Sequence, residues 1–177
     1  MSVPELATPA DAGDIEALLD QSFGPDRLKK TSYRFREGVE PLHELCFVLR
    51  EAGILRASIG FWPMLIRPRK GADMPALLLG PLAVDPRLRG QGLGLRLMRR
   101  GLEEAAAQGH RIVILVGDLG YYERFGFRRA EPGQFVFPGP VDEHRILVQE
   151  LVPGALEDVA GNLVKAAPAR QRVQRRA

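Results

Sequence analysis

The feature that most constrains this chain is a glycine-rich turn between an apolar segment and an amphipathic one. Residues 76–84 (ALLLGPLAV) are continuously apolar, which is typical of a strand covered on both faces. Residues 93–108 repeat apolar positions at helical spacing, which predicts an amphipathic helix. The eight residues that join them include glycine at 90 and 92, with a third glycine at 94. The sequence therefore predicts a buried strand, a tight turn and a helix in immediate succession.

A turn of this kind is suited to binding an anion. Glycines expose backbone N–H groups without obstruction by a Cβ atom, and the start of a helix adds unpaired N–H groups and the positive end of the dipole. Phosphate or pyrophosphate is the natural ligand of such a site, and Arg87 and Arg89 can add positive charge. The alternative is that the glycines only shape a tight turn.

Two common phosphate motifs do not fit this segment. A P-loop requires Lys followed by Ser or Thr after its last glycine, but Leu95 and Arg96 follow Gly94 here. The dinucleotide fingerprint requires a third glycine at 95 or at 97, and both positions are leucine. The turn therefore belongs to neither class.

Two other motifs do fit, in order along the chain. Arg89, Gly92 and Gly94 form an Arg-x-x-Gly-x-Gly pattern just after Val84-x-Pro86, and Tyr122 begins a Tyr-x-x-x-Gly-Phe pattern that ends at Phe127. This pair resembles the acetyl-CoA motif and the second signature of the GNAT superfamily of N-acyltransferases, and the surrounding phrases look most like its YhbS-like branch. The resemblance implies the GNAT acyl-CoA N-acyltransferase fold and acetyl transfer to an amine.

The resemblance also implies where acetyl-CoA binds as co-substrate. The pantetheine arm would lie along the strand at Leu82, Ala83 and Val84, and a backbone N–H near Val84 would polarise the thioester carbonyl. The pyrophosphate would meet backbone N–H groups of the turn, at Arg89, Gly90, Gln91, Gly92, Leu93 and Gly94. No metal is expected, since the three scattered histidines form no pattern of metal ligands.

Tyr122 is the candidate for the general acid. A phenol with an ordinary pKa near 10 keeps its proton at neutral pH and can pass it to a departing thiolate. The alternative is that Tyr122 is only a packed aromatic residue. No general base is identified, because residues 76–84 contain no acid. Glu37, Glu40, His43 and Glu44 lie in the region that shapes the acceptor pocket in relatives, and solvated surface groups are the alternative reading of all four.

The absence of a strand acid leaves two functions open. The first is an N-acetyltransferase that acts on a small-molecule or peptide amine by direct attack in a ternary complex. The second is a non-catalytic CoA-binding regulatory module that keeps the fold. Dimers are common among relatives, so the resemblance allows a homodimer.

The order of the remaining elements predicts an α/β fold. Helices are expected at 11–22, 26–36, 93–108 and 120–125, and strands at 3–7, 45–50, 54–66, 76–84, 112–116, 127–129, 134–137 and 143–151. A loop or short helix is expected from 153 onward. One strand–helix–strand unit gives one parallel crossover. The prediction is a mixed, mostly antiparallel sheet with helices on both faces.

The charge is unevenly placed. The pI is about 9.3, but residues 165–177 carry five basic residues and no acid. The remainder of the chain is therefore slightly acidic. We expect one domain over residues 1–164 and a flexible basic tail over 165–177, and this distribution disfavours nucleic-acid binding. The start of the chain resembles no signal peptide, and no apolar run is long enough to span a membrane, so the sequence predicts a soluble cytoplasmic protein.

Overall fold

The computed structural model describes residues 2–166. Its α-helices are α1 (Ala12–Phe23), α2 (Thr31–Arg34), α3 (Leu93–Ala107) and α4 (Leu119–Tyr122). Its strands are β1 (Glu5–Leu6), β2 (Phe47–Glu51), β3 (Ile54–Arg67), β4 (Met74–Val84), β5 (Ile112–Val116), β6 (Arg128–Arg129), β7 (Phe135–Val136), β8 (Ile146–Glu150) and β9 (Gly161–Lys165). Short 3-10 turns lie at Pro9–Asp11, Pro25–Lys29, His43–Leu45, Pro86–Leu88, Glu123–Phe125 and Glu143–Arg145.

The strands form one mixed sheet. Their order is β1-β2-β3-β4-β5-β8-β6, with β9 beside β3 and β7 beside β9. Neighbouring strands are antiparallel except for two parallel pairs, β4 with β5 and the short β7 with β9. Helix α3 connects β4 to β5 and forms the parallel crossover that the sequence predicts. The predicted fold class is confirmed.

Helices cover both faces of the sheet because the strand side chains alternate between apolar cores. On one face, Leu97 and Met98 of α3 pack with Phe47 and Phe61. On the opposite face, Leu18 and Leu19 of α1 pack with the neighbouring Val48 and with Ala83. A third cluster on this opposite face joins Phe35 to residues of β4, β5, β8 and β9. The middle of β4 is therefore covered on both sides, as its apolar sequence requires.

One extra residue in β4 opens the sheet in its centre. Phe61 of β3 is opposite Leu79, but Ile59 is opposite Leu82, so β4 carries a bulge at 80–81. The pairing of β4 with β5 covers only Leu77–Val113 and Leu78–Ile114. Beyond Leu78 the two strands separate, and the second half of β4 has a free edge between the bulge and the glycine turn.

Two segments differ from their predicted structure. The helix expected at 26–36 is a 3-10 turn followed by the four-residue helix α2, because the extended backbone of Lys30 divides it. The loop or helix expected after 153 includes strand β9, which pairs with β3 at Leu65–Val164 and Ile66–Leu163. The predicted basic tail begins inside this strand, at Lys165. Its flexibility stays a prediction, because residues 167–177 lie outside those described.

Candidate active site

A cleft of about 730 Å³ opens where β4 and β5 separate. One wall is the second half of β4 with the glycine turn and the first turn of α3. The opposite wall is formed by residues 116–118, Tyr121 and Tyr122. A third side is formed by the end of α1 and by the segment that contains Tyr33 and Arg36. The two sequence motifs, 89–94 and 122–127, therefore meet at one cavity.

Asp85 fixes the path of the chain into the turn. Its buried carboxylate accepts hydrogen bonds from the backbone N–H (3.0 Å) and the guanidinium (2.7 Å) of Arg87, and it pairs with Arg56 at 2.7 Å. These bonds, from Arg87 first, hold the pKa of Asp85 well below its usual value. Arg87 is thus engaged with Asp85 and does not line the cleft, contrary to the expectation that it adds charge there, whereas Arg89 does line it.

Left-handed glycines then turn the chain into α3. Gly90 and Gly92 have φ of +82° and +80°, values that residues with side chains rarely adopt. Helix α3 begins at Leu93, and the N–H of Arg96 bonds to the carbonyl of Gly92. The preceding N–H groups of the first turn have no intrahelical acceptor. They form a set of donors at the positive end of a 15-residue helix.

Gly94 is required by a close approach across the cleft. A Cβ atom at this position would lie 2.6 Å from the hydroxyl oxygen of Tyr121, and the next nearest atom is a methyl carbon of Val84 at 3.5 Å. Tyr121 therefore rests its hydroxyl against the start of α3. The ring of Tyr121 is held from behind by Phe125, with centroids 5.7 Å apart. This contact joins the two motifs physically.

The free edge of β4 directs backbone groups into the cleft. The N–H of Asp85 donates to the carbonyl of Arg56 on β3. Along a strand, the N–H and carbonyl of one residue point to one edge, and those of the next residue point to the opposite edge. The N–H and carbonyl of Val84, and by regular pairing those of Leu82, therefore point away from β3. The carbonyl of Val84 accepts a hydrogen bond of 3.4 Å from the hydroxyl of Ser22. An extended ligand can pair with this edge as an additional strand would.

Tyr122 lies in the same cleft with its ring tightly packed. A Cβ atom at Gly117 would lie 2.5 Å from the ring of Tyr122, so this glycine lets the ring lie against the end of β5. Tyr121 and Phe127 make edge contacts at 4.9 and 5.9 Å. Burial raises the pKa of Tyr122 to about 12. The phenol is therefore protonated over the whole physiological pH range and can act as a proton donor.

Most of the predicted site residues surround this cleft. The cleft is lined by Leu82, Val84, Arg89, Gly90, Gly92, Leu93, Gly94 and Tyr122. Ala83 does not line it, since its side chain is buried against α1. Gln91 is exposed on the outside of the turn. The assignment of individual roles to these residues stays a prediction.

The residues expected to shape the acceptor pocket do not lie at the cleft. Glu37, Glu40, His43 and Glu44 do not line the cleft. In their place, the preceding residues Lys30, Ser32, Tyr33 and Arg36 do. The segment YRFRE at 33–37 alternates aromatic and basic residues. This alternation is the sequence signal that could have pointed to these cleft residues. Asp118 is the acid that lines the cleft among the described residues, and its carboxylate caps α4 at the N–H of Gly120.

The comparisons with known proteins decide the family. The sequence matches the family described as an acetyltransferase (GNAT) domain over residues 4–130. The chain belongs to the GNAT acetyltransferases. It is 33% identical to YhbS, an uncharacterized N-acetyltransferase of Escherichia coli K12, over 86% of this chain and 89% of that protein. It is 29% identical to a second such protein of that strain, YjhQ, over 77% of this chain and 76% of the other.

Solved structures of this family have the same fold. The crystal structure of Escherichia coli YhbS in complex with CoA matches with a TM-score of 0.78 and 31% identity, over 93% of this chain and 89% of that one. A GNAT family acetyltransferase from Brucella melitensis, in complex with acetyl-CoA, matches with a TM-score of 0.68 and 26% identity, over 94% and 97% of the two chains.

No helix within residues 2–166 combines the length and apolar character needed to cross a membrane. The same residues bring together no group of three or more histidine, cysteine or carboxylate side chains able to hold a metal ion.

Proposed function

We propose that this GNAT acetyltransferase transfers the acetyl group of acetyl-CoA to an amine by direct attack in a ternary complex. The observation that carries the proposal is the convergence of three parts on one cleft: the N–H groups of the turn, the free edge of β4 and the hydroxyl of Tyr122. Acetyl-CoA supplies the reactive thioester. Each of the three parts would serve one portion of acetyl-CoA: the diphosphate, the pantetheine arm or the thioester.

The donor fits along one wall of the cleft. The N–H groups between Arg89 and Gly94, with the guanidinium of Arg89, would hold the diphosphate. The outward N–H and carbonyl groups of Leu82 and Val84 would pair with the amides of the pantetheine arm. These contacts would orient the thioester, and orientation supplies a large part of the acceleration in such reactions.

The chain's own groups would then stabilise the charge that develops. A backbone N–H at the free edge of β4 would donate to the thioester oxygen as the amine nitrogen bonds to the carbonyl carbon. Tyr122 would give its proton to the sulfur as the C–S bond breaks. The proton lost by the amine would pass to water, since Asp118, the acid that lines the cleft among the described residues, accepts a hydrogen bond as the cap of α4. The products are the acetylated amine and CoA.

The test separates binding from turnover. The purified protein is incubated with acetyl-CoA and a panel of amines, and free thiol is followed with a chromogenic disulfide. Tyr122→Phe should lower kcat about 100-fold or more, within the range of acid catalysis, and leave the Kd for acetyl-CoA within twofold. The neighbouring Tyr121→Phe is the matched control, since it removes a hydroxyl from the same cleft. Equal losses in both variants, or none in Tyr122→Phe, would refute the acid role.

A second candidate is a CoA-binding regulatory module without catalysis. The observation that favours it is that the acid lining the cleft among the described residues, Asp118, already accepts a hydrogen bond as the cap of α4. Calorimetry would then show tight binding of acetyl-CoA, and no amine in the panel would release thiol. Release of CoA with any amine would exclude this candidate.

The family resemblance supports further proposals about the setting of the protein. We propose a cytoplasmic protein whose residues 1–164 fold as one domain and whose acceptor is a small-molecule or peptide amine. Nucleic acid is disfavoured as a partner, and deletion of residues 167–177 should leave acetyl-CoA binding unchanged. Light scattering tests whether the protein is a monomer or a homodimer.

A further inference from the structure

Arg36 is a buried cation without a neutralising partner. Only 9% of its surface is exposed, and no carboxylate among residues 2–166 lies within ion-pair distance of it. Its Nε and Nη1 atoms are buried and have no hydrogen-bond acceptor within those residues. Burial lowers the pKa of Arg36 to about 10, so the side chain is still charged at neutral pH. An unpaired buried charge is unfavourable for folding and calls for a reason.

A second buried arginine that contacts the same ring shows the contrast. Tyr33 contacts the guanidinium groups of both Arg27 and Arg36, at 5.2 and 4.8 Å from its ring centroid. Arg27 is paired with Glu16 and Asp20 at 2.5 and 3.0 Å. Arg36 has the rings of Tyr33 and Trp62 and a side-chain hydrogen bond to Tyr33, but no carboxylate among the described residues. Burial raises the pKa of Tyr33 above its usual value, so this phenol is neutral near pH 7 and does not balance the charge.

Arg36 also lies where a second substrate would enter. It lines the cleft, together with the polar side chains of Lys30 and Ser32. A Cβ atom on Gly80 would lie 3.1 Å from its Nη2, so the guanidinium rests against the bulge of β4. Gly80 and the glycine turn lie at opposite ends of the free edge of β4. The guanidinium is thus distant from the turn that is proposed to hold the diphosphate of CoA.

We infer that the acceptor is a small amine that carries its own anionic group, and that Arg36 binds this group. The inference rests on the proposed acetyl transfer, because it names the acceptor of that reaction. A carboxylate or a phosphate has the two oxygens that a guanidinium binds in parallel. The depth of Arg36 favours a terminal anion on a small molecule over a group on a folded protein surface.

Paired amines test the inference through turnover. Glycine, β-alanine and phosphoethanolamine are compared with glycinamide, β-alaninamide and ethanolamine, which lack the anion. We expect kcat/KM about 10- to 100-fold higher for the anionic member of each pair, as for other charged hydrogen bonds, and the pairs distinguish carboxylate from phosphate. Arg36→Gln should remove this preference and leave the Kd for acetyl-CoA within twofold. Lys30→Gln, which removes an exposed charge from the same cleft, should change the preference less than threefold.

A binding measurement makes the result independent of turnover. The Nε–H signal of Arg36 in protein labelled with ¹⁵N-arginine is assigned by its loss in Arg36→Lys, and it is titrated with each amine. A shift with the anionic amines alone supports the anion site even if no thiol is released, in which case only the transfer reaction fails. No shift with any anion, an equal response to the neutral amines, or a response only to a peptide with an acidic N-terminus overturns the inference.

Discussion

Replacing each of the two arginines that flank Tyr33 with methionine should change stability in opposite directions. Methionine keeps an unbranched apolar stem and removes the charge. Arg36→Met removes a buried cation that has no carboxylate partner, whereas Arg27→Met removes one that is paired twice. The two side chains are 9% and 2% exposed, so the comparison holds burial nearly constant and varies the pairing.

The magnitude follows from the pKa of Arg36. Burial lowers this pKa from its usual value to about 10, and at about 1.4 kcal/mol for each pH unit the folded protein holds the charge at a cost of about 3 kcal/mol. The usual and the lowered pKa both lie far above pH 7, so the full cost applies near neutrality and declines only as the pH rises above about 10. Loss of the ring contacts offsets about 1–2 kcal/mol. Arg36→Met should therefore gain about 1–2 kcal/mol.

Urea unfolding at pH 7.5 measures both effects. Arg36→Met should raise the midpoint without changing the slope, and it should raise Tm by roughly 2–8 °C for a domain of this size. Arg27→Met should lose about 1–3 kcal/mol, the lower part of that range being favoured because Glu16 and Asp20 are half-exposed. If Arg36→Met is destabilised as much as Arg27→Met, Arg36 is a structural residue whose charge is already satisfied, and the reasoning about the acceptor loses its basis.

The site supports further predictions. Gly94→Ala should lose about 1–3 kcal/mol of stability because its Cβ meets the hydroxyl of Tyr121 at 2.6 Å, and adding Tyr121→Phe should restore most of the loss in thermal unfolding; no rescue would mean that another contact excludes the methyl group. Gly92→Val and Gly109→Val place a branched side chain at similar φ, +80° and +84°, and should lose similar stability. Calorimetry should nevertheless show CoA affinity reduced at least tenfold only for Gly92→Val. Equal affinities in the two folded variants would remove the turn from the proposed donor site. The pKa of Tyr122, about 12, predicts that kcat rises with pH as the bound amine loses its proton and does not fall again below about pH 11; a decline that begins near pH 8 would point to a different acid.

The part of the cleft that we propose for the donor was largely predictable because its signal is local. The apolar strand, the glycines at 90, 92 and 94 and the amphipathic α3 are adjacent in sequence, and each restricts the backbone directly. The two motifs also gave the order of elements between them. What the sequence could not show is that the hydroxyl of Tyr121 reaches the start of α3, since this depends on the packing of two distant segments.

The side of the cleft that we propose for the acceptor was not predictable, because no local signal in the sequence marks it. The importance of Arg36 rests on the absence of a partner, and a missing contact has no pattern in the sequence. The bulge at 80–81 was also hidden, because a continuously apolar strand gives no alternation from which a change of register could be recognised. Strand β9 was missed because its five residues pair with β3 over a separation of about a hundred positions.

The contact between Gly94 and Tyr121 divides the cleft into parts with different freedom to vary. This contact joins two walls of the cleft so closely that neither residue can be replaced by a larger one alone. Any sequence that keeps both residues therefore keeps the distance between these two walls. The third wall is held by the four-residue helix α2 and by the ion pairs of Arg27. It is not joined to Gly94 or Tyr121 by a contact of this kind. Mutation can therefore remodel the third wall and change what enters the cleft, while the opposite side, proposed to bind the donor, keeps its shape.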